Sequence, residues 1–448
     1  MNKNGEIVIL GAAESGTGAA VLAQKKGYKV FVSDKGAIKE TYKSVLIHFE
    51  IDFEEGNHNL KRILSATEII KSPGIPDTIP VMEAIRKANI PVISEIEFAS
   101  RFTTAKIIGI TGSNGKTTTT LLLGHILKTA GLNVSVAGNI GKSFAWQVAE
   151  DDKDVFVLEL SSFQLDGMKN FKADISILLN ITPDHLDRYD NKFENYVDSK
   201  FRIIQNQSEN ETFIYCADDA VIQNELAKRK VRMKQIPFSL KNLNMENGAF
   251  VNNGKIIIKQ HKKEFDMTLE QLALQGKHNV YNSMAAGVAA KLMEIRNDTI
   301  KQCLSDFQNI AHRLEYAGSV HGIRFINDSK ATNVNSTWYA LESAEYPTVW
   351  IAGGIDKGND YNSIKPLVKQ KVKAIICLGL DNHKIHEAFA DDVELIFDTQ
   401  SAEEAVSAAY QIASKGDTVL MSPACASFDL FENYEDRGNQ FKKAVNNL

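Results

Sequence analysis

Cysteine is scarce in this chain. Its 448 residues include only four, Cys216, Cys303, Cys377 and Cys425, far apart and without paired spacing. That excludes a disulfide framework and a thiolate zinc motif, and it fits a reducing compartment. Long apolar runs are missing too. No stretch approaches the ~20 residues that cross a bilayer, so no membrane partner is expected. The opening MNKNGEIVILG has no apolar signal core and enters a strand pattern at once, which argues against secretion and for a cytoplasmic protein. A basic excess is also lacking. Lys plus Arg number 51 against 56 Asp plus Glu, a formal charge of -5, which argues against a nucleic-acid partner but leaves room for local anion pockets. No repeat period or low-complexity tract stands out. What is present is a globular balance, 44% hydrophobic and 24% charged, in a chain long enough for about three domains of roughly 150 residues.

Short apolar runs alternate with longer helical patterns. EIVILG, YKVFVSD, AKIIGITG, DVFVLEL, ADISILLN, TVWIAGG, AIICLG and DTVLMSP read as buried strands, because continuous Val/Ile/Leu runs suit parallel strands covered on both faces. Helical stretches such as TLLLGHILKTAG and AEEAVSAAYQIASKG lie between them. The alternation predicts α/β layers joined by right-handed crossovers. One boundary is expected near Arg101–Thr104 and a second near Asn309–His312, giving domains 1–102, 103–310 and 311–448. From Phe238 to Asp266 the pattern changes. FSL, GAFVNNGKIIIK and KEF read as hairpin strands with a turn at Asn-Asn-Gly, a small antiparallel insertion on the central domain.

The strongest local signal is GITGSNGKTTTT, Gly109 to Thr120, between a strand and a helix. A phosphate needs converging N–H donors and positive charge, which a glycine loop entering a helix N-terminus supplies. Lys116 can reach the β- and γ-phosphates, and the Thr117 hydroxyl is placed for Mg²⁺. The strict P-loop spacing is not met, since Ile110 stands where its first glycine belongs. The bland alternative is a glycine-rich turn with a solvated lysine. The strand before and helix after favour phosphate.

Other polar residues close the strands. Glu159 sits inside the apolar run DVFVLEL, followed by SSFQ, and ADISILLNITPDHLDRY places Asp184, His185 and Asp187 in a strand-end loop. Ligands of open α/β sheets bind at such strand ends, and Mg²⁺ takes few protein ligands. Glu159 and His185 are therefore candidate metal ligands, against a structural ion pair and an ordinary loop histidine. The turn GAAESGTG, Gly11 to Gly18, followed by Asp34 after YKVFVSD, resembles a dinucleotide-binding opening with its middle glycine replaced by Ala13. A Rossmann-like turn without cofactor is an equal reading. KSPGIP, Lys71 to Pro76, is a turn at another strand end. Three later loops, INDSKATN, GGIDKGND and LMSPACASFD, put Lys330, Lys357, Thr332 and Ser427 where an anionic substrate can be met, although such lysines are commonly just solvated.

These segments together resemble the Mur ligases. The resemblance covers nearly the whole chain and rests on TGSNGKTT, GNIG, ELSSFQL, TPDHLDRY, DSKFR, GKHNVYN, AHR, NDSKATN and SPACASFD in that order. It implies three domains: a Rossmann-like N-terminal one, a central P-loop ATPase-type parallel sheet, and a Rossmann-like C-terminal one. It implies a ligase that uses ATP and two Mg²⁺ ions to add D-glutamate to UDP-N-acetylmuramoyl-L-alanine through an acyl phosphate, in cytoplasmic peptidoglycan synthesis, probing no nucleic acid or membrane and working as a monomer. By position, Ser15, Asp34, Lys35, Ser72, Pro73 and Gly74 would face uridine and diphosphate. Asn139, Ser161 and Gln164 would contact the rest of that substrate. Gly112, Ser113, Asn114, Gly115, Lys116, Thr117 and Thr118 would hold ATP, with Asn279 and Asn282 near adenine, Arg313 near the γ-phosphate, and Asp328 and Lys330 beside the nucleotide. Glu159, His185, Thr117 and a carbamylated Lys200 would serve the metals. Thr332, Lys357, Ser427 and Phe428 would line the D-glutamate site. Lys116, Lys200, His185 and Arg313 would be the catalytic set, and the C-terminal domain would close on ligand binding. Without the resemblance, Lys200 in FENYVDSKFRIIQN reads as a surface lysine. Three rivals share parts of the pattern: a folate polyglutamate ligase, a nicotinamide-dependent oxidoreductase, and a non-catalytic nucleotide switch.

Overall fold

All eight apolar runs become strands, within Glu6–Leu10, Lys29–Asp34, Lys106–Thr111, Val155–Glu159, Ile175–Leu178, Thr348–Gly353, Val372–Leu378 and Thr418–Ala424. The structure, a computed structural model, describes residues 5–241, 245–260, 263–274, 276–307, 311–344 and 347–448. They form an α/β protein of two compact units, Met1–Phe307 and Gln308–Leu448, with three sheets. The boundary expected at Asn309–His312 falls partly outside the described residues.

The first sheet is wholly parallel, in the order Asp52–Glu55, Lys29–Asp34, Glu6–Leu10, Glu68–Lys71, Val92–Ile93. The chain runs outward on one side of Glu6–Leu10 and then returns to its other side. The carboxyl ends of Glu6–Leu10 and Glu68–Lys71 therefore flank a switch point, where open sheets bind ligands.

The second sheet has nine strands, in the order Lys263–Thr268, Lys255–Gln260, Gly248–Asn252, Lys234–Ser239, Thr212–Cys216, Ile175–Leu178, Lys106–Thr111, Val155–Glu159, Val134–Gly138. The antiparallel insertion exists, but it extends the edge of this sheet. Gly248–Asn252 pairs in parallel with Lys234–Ser239 and antiparallel with Lys255–Gln260. Asn253 and Gly254 both have positive φ, 48° and 70°, as a two-residue hairpin turn requires. The expected hairpin strand FSL is instead the end of the parallel strand Lys234–Ser239. The helix Ala220–Lys228 before it makes a crossover, and a crossover delivers a parallel strand.

One core runs through both sheets of this unit, with Ile9, Val32 and Leu22 in the same cluster as Ile108, Val157 and Leu123. Phe144 stacks edge-on against Phe156 at 4.9 Å. Carboxylates reinforce the join. Glu14 accepts from Ser143 N–H at 2.9 Å and buried Glu95 from Phe144 N–H at 2.9 Å. Buried Glu97 accepts from the N–H groups of Lys169, Asn170 and Phe171 at 3.0, 3.0 and 2.7 Å. Burial pushes the Glu95 carboxyl up to about 8 against the two backbone donors that pull it down.

The second unit has a six-stranded sheet, in the order Glu315–Val320, Ile323–Asn327, Thr418–Ala424, Thr348–Gly353, Val372–Leu378, Ile396–Thr399, parallel except for its first strand. Alternate residues feed two cores. Val349 and Ile351 face Ala405, Val406 and Phe441, while Trp350 and Ala352 face Ile364, Val368 and Phe389. This is why TVWIAGG is apolar without alternation.

Candidate active site

Strand Lys106–Thr111 delivers the chain to the loop 112–115, and helix Lys116–Thr129 begins directly after it. Asn180, at the next strand end, fixes the loop. Its Oδ1 accepts from Asn114 N–H at 2.8 Å, its amide donates to Asn114 O at 3.0 Å, and its carbonyl accepts from Ser113 N–H at 2.9 Å. The Ser113 hydroxyl donates to Thr182 O at 2.8 Å and lies 3.0 Å from the Tyr196 hydroxyl. Lys116 Nζ donates to the carbonyls of Gly112 and Ser113 at 2.8 and 2.7 Å. Thr117 and Thr118 are buried in the first helical turn. From helix Lys277–Leu292, Asn282 accepts from the Thr119 hydroxyl at 3.2 Å and donates to Asn279 Oδ1 at 3.2 Å. Both asparagines thus sit behind the loop.

Lys200, on helix Phe193–Phe201, is only 2% exposed. Its Nζ donates to Gly112 O at 3.0 Å and to the Thr111 hydroxyl at 3.2 Å. Burial holds this amine well below the usual lysine range. The Lys116 charge adds to that effect, while Asp184 and Glu159 oppose it. Two lysines therefore converge on one carbonyl, one of them biased toward the neutral amine.

Glu159 ends the strand that pairs beside Ile110. Its Oε1 accepts from Asn139 Nδ2 at 3.0 Å. Its Oε2 is buried and has no hydrogen-bond partner among the described residues. A buried carboxylate oxygen with a free lone pair is costly unless a cation or donor meets it, so the donor set fits a hard divalent ion. Ser161 and Gln164 pair in a capping box on helix Ser162–Asp166. His185 adopts a left-handed φ of 52°, with its ring edge-on to Phe163 at 5.1 Å and its Nε2 3.8 Å from the Asp184 carboxylate.

At the first sheet's switch point, the hydroxyls of Ser15 and Ser72 lie 3.5 Å apart. Asp34 is engaged by the turn, accepting from Ala12 N–H at 2.7 Å and Gly36 N–H at 2.8 Å. Lys35 and Gly74 are exposed and Pro73 is half-buried. Arg188 lies over the Phe163 ring at 4.5 Å and reaches the Ile75 carbonyl of KSPGIP at 3.5 Å.

Apart from Arg313, which precedes the strand Glu315–Val320, the expected residues of the second unit follow the carboxyl ends of three adjacent strands. Asp328 is buried, accepts from Leu314 N–H at 3.2 Å and the Ser422 hydroxyl at 2.9 Å, and burial pushes its carboxyl up to about 6. Arg313 has a buried Nε without a hydrogen-bond partner among the described residues, and its charge favours the Asp328 carboxylate. Lys330 Nζ lies 5.2 Å from the Tyr434 ring centroid. Ser427 is buried, Thr332 half-buried, and Lys357 and Phe428 exposed.

Comparison with known proteins covers most of the chain in three segments. Family profiles match residues 6–80 as "MurD N-terminal domain", 110–290 as "Mur ligase middle domain" and 312–425 as "Mur ligase, glutamate ligase domain". A UDP-N-acetylmuramoylalanine–D-glutamate ligase of Christiangramia forsetii is 56% identical over 443 residues, 99% of each chain. The chain belongs to the Mur ligase family. Among solved structures, this Mur ligase resembles a pseudomurein peptide ligase type C from Methanothermus fervidus (TM-score 0.62, 21% identity, 99% and 100% of the two chains). It also resembles a MurF ligase from Thermotoga maritima in complex with ADP (TM-score 0.62, 14% identity, 93% and 95%). Both likenesses carry the shared architecture.

Asn180 and Arg188 reach partners that their local sequence does not announce, Asn114 in the glycine loop and Ile75 in KSPGIP. Ligand-type atoms of His125, Cys303 and Asp306, and of Cys377, His386 and Asp398, come within 4.8 Å. In each trio the imidazole is already paired to the carboxylate, at 3.3 and 3.1 Å. All four cysteines are free and buried. Among the described residues, no helix is long and apolar enough to cross a membrane.

Proposed function

We propose that this Mur ligase spends ATP to join D-glutamate to UDP-N-acetylmuramoyl-L-alanine in cytoplasmic peptidoglycan precursor synthesis, as a monomer with domains 1–102, 103–310 and 311–448. The observation that carries the choice of substrate is the end-to-end 56% identity to a UDP-N-acetylmuramoylalanine–D-glutamate ligase. The geometry supports the chemistry. A carboxylate is a poor electrophile because its oxygen leaves badly. Transfer of the γ-phosphoryl group makes an O–P bond to the alanyl carboxylate as the bond to ADP breaks. The D-glutamate amine then adds to the acyl carbon, and phosphate leaves as the amine loses a proton. Positioning and charge neutralisation are what the protein contributes.

Lys116 and the N–H groups of residues 112–118 hold the β- and γ-phosphates, with Thr117, Asn279 and Asn282 beside the nucleotide. Arg313, Asp328 and Lys330 are nucleotide-binding residues by resemblance to the family. Mg²⁺ would be held by Thr117, Glu159, His185 and modified Lys200, and supplies charge neutralisation for the phosphate oxygens. Lys200 is suited to modification because a neutral amine can add to CO₂, losing a proton and becoming a carbamate anion. Ser15, Asp34, Lys35, Ser72, Pro73, Gly74, Asn139, Ser161 and Gln164 face the UDP substrate. Thr332, Lys357, Ser427 and Phe428 face D-glutamate.

The test offers the purified protein ATP, Mg²⁺ and UDP-N-acetylmuramoyl-L-alanine with D- or L-glutamate. Phosphate release and a new amide by mass spectrometry are expected with the D form alone. ATP binding without substrate-dependent ADP would overturn the reading, as would turnover on a folate acceptor.

A further inference from the structure

Arg437 lies in helix Tyr434–Asn446, whose sequence YEDRGNQFKKAVN is polar enough to suggest a solvated surface. Its side chain is nevertheless 0% exposed. Its Nε donates to the Ser329 hydroxyl at 3.0 Å, and Nη2 donates to Ser329 O at 2.9 Å and Cys425 O at 3.2 Å. Nη1 donates to Cys425 O at 3.3 Å and Gly353 O at 3.4 Å. The three acceptor residues belong to three different strand-end segments. Ser329 is in NDSKATN, Gly353 opens GGIDKGND, and Cys425 is in SPACASFD. Those are the segments that carry Lys330 and Thr332, Lys357, and Ser427 and Phe428.

No carboxylate pairs directly with this cation among the described residues; Asp429 and Asp328 favour its charge only at longer range, and each of these hydrogen bonds is to a hydroxyl or carbonyl. A buried guanidinium without a direct ion pair is a poor way to stabilise a core, and an apolar side chain of similar volume serves stability better. What a guanidinium does supply is a rigid plane of N–H donors in fixed directions. Here that plane spans three loops. The surroundings reinforce it. The Ser329 hydroxyl donates to Tyr434 O at 2.8 Å, and Ile355 and Ala426 exchange backbone hydrogen bonds at 2.8 and 3.1 Å between the second and third segments. The next residue, Gly438, is held close to His312, where a Cβ would fall 2.1 Å from Nδ1. His312 O in turn accepts from Lys330 N–H at 3.0 Å.

We infer that Arg437 is a positioning residue of the amino-acid pocket, its guanidinium setting the spacing of the three loops that meet D-glutamate. This rests on the function proposed above. A displacement of about 1 Å in such a pocket costs on the order of 100-fold. Arg437→Lys keeps the charge but loses the planar fork, so it should not rescue. The experiment measures kcat and KM separately for D-glutamate, ATP and the UDP substrate in wild type, Arg437→Lys, Arg437→Met and Ser329→Ala, with melting temperatures. The expected result for both Arg437 variants is a KM for D-glutamate raised by about 10- to 100-fold, with the KM for the UDP substrate within about twofold of wild type. Ser329→Ala, which removes only one acceptor, should shift the same constant less. If an Arg437 variant does not fold, Ser329→Ala alone decides. Lowered melting temperatures with all kinetic constants unchanged, or all changed alike, would overturn the inference. Wild type inactive with D-glutamate would instead overturn the proposed function.

Discussion

Gly115→Ala tests whether the loop 112–115 is what holds the nucleotide. Gly115 has a φ of 82°, a conformation that costs an L-residue with a Cβ about 1–2 kcal/mol. The new methyl would also fall 2.4 Å from Asn282 Oδ1, so that side chain must move. Moving it sacrifices the bond to Asn279 at 3.2 Å, at about 1 kcal/mol, while the Thr119 hydroxyl keeps Gly115 O at 3.0 Å. If the loop keeps its shape, the cost is about 2–3 kcal/mol. If the loop relaxes instead, its N–H groups no longer converge, and a loss of ~2.8 kcal/mol in binding is about 100-fold in affinity. Calorimetric titration with a non-hydrolysable ATP analogue and Mg²⁺, alongside thermal unfolding, separates the two outcomes. The double variant with Asn282→Ala removes the obstructing oxygen. It should therefore be less unstable than the sum of the singles by on the order of 1 kcal/mol. A Gly115→Ala protein that melts at the wild-type temperature and binds the analogue with wild-type affinity would refute the reasoning.

Two further outcomes are expected. Lys116→Ala should lower kcat by about 10²- to 10³-fold or more while the melting temperature stays near wild type, because its bonds to the Gly112 and Ser113 carbonyls are local to the loop; retained turnover in a steady-state phosphate assay would count against its role. Glu95 has a folded value of about 8, above its ordinary 4.5, so the unfolded chain binds fewer protons between those values. Its contribution to stability is therefore full below 4.5 and lost as pH rises through 8, at no more than ~1.4 kcal/mol per pH unit. Glu95→Gln should flatten that decline in chemical denaturation between pH 5 and 8.5, and an unchanged slope would show that another group causes it.

Much of the fold was legible in the sequence because burial on both faces of a parallel sheet leaves a local mark. TVWIAGG and DVFVLEL announce strands by composition alone, and the glycine loop announces the strand-to-helix turn. FSL was misread because a strand's partner depends on the connection before it, here the helix Ala220–Lys228. Lys200 carries no local mark at all. Its helix offers a polar face, and only the packing of that face beneath Gly112 makes the amine buried and its charge disfavoured. Arg437 is hidden for the same reason, in a helix whose neighbours Glu435, Asp436 and Gln440 are polar. Periodicity reports which face is dry; it does not report which polar side chain has been carried inside to meet carbonyls a hundred residues away.

The four thiols have a practical consequence. Cys216 and Cys303 lie in the first unit, Cys377 and Cys425 in the second. Burial pushes Cys216 up to about 12 and Cys425 up to about 11, and raises the other two as well. Since alkylating reagents attack thiolates, intact molecules should stay dark to them. Each unit thus carries its own pair of latent tags. Timed labelling during denaturation, mapped peptide by peptide, would record which half of the enzyme comes apart first.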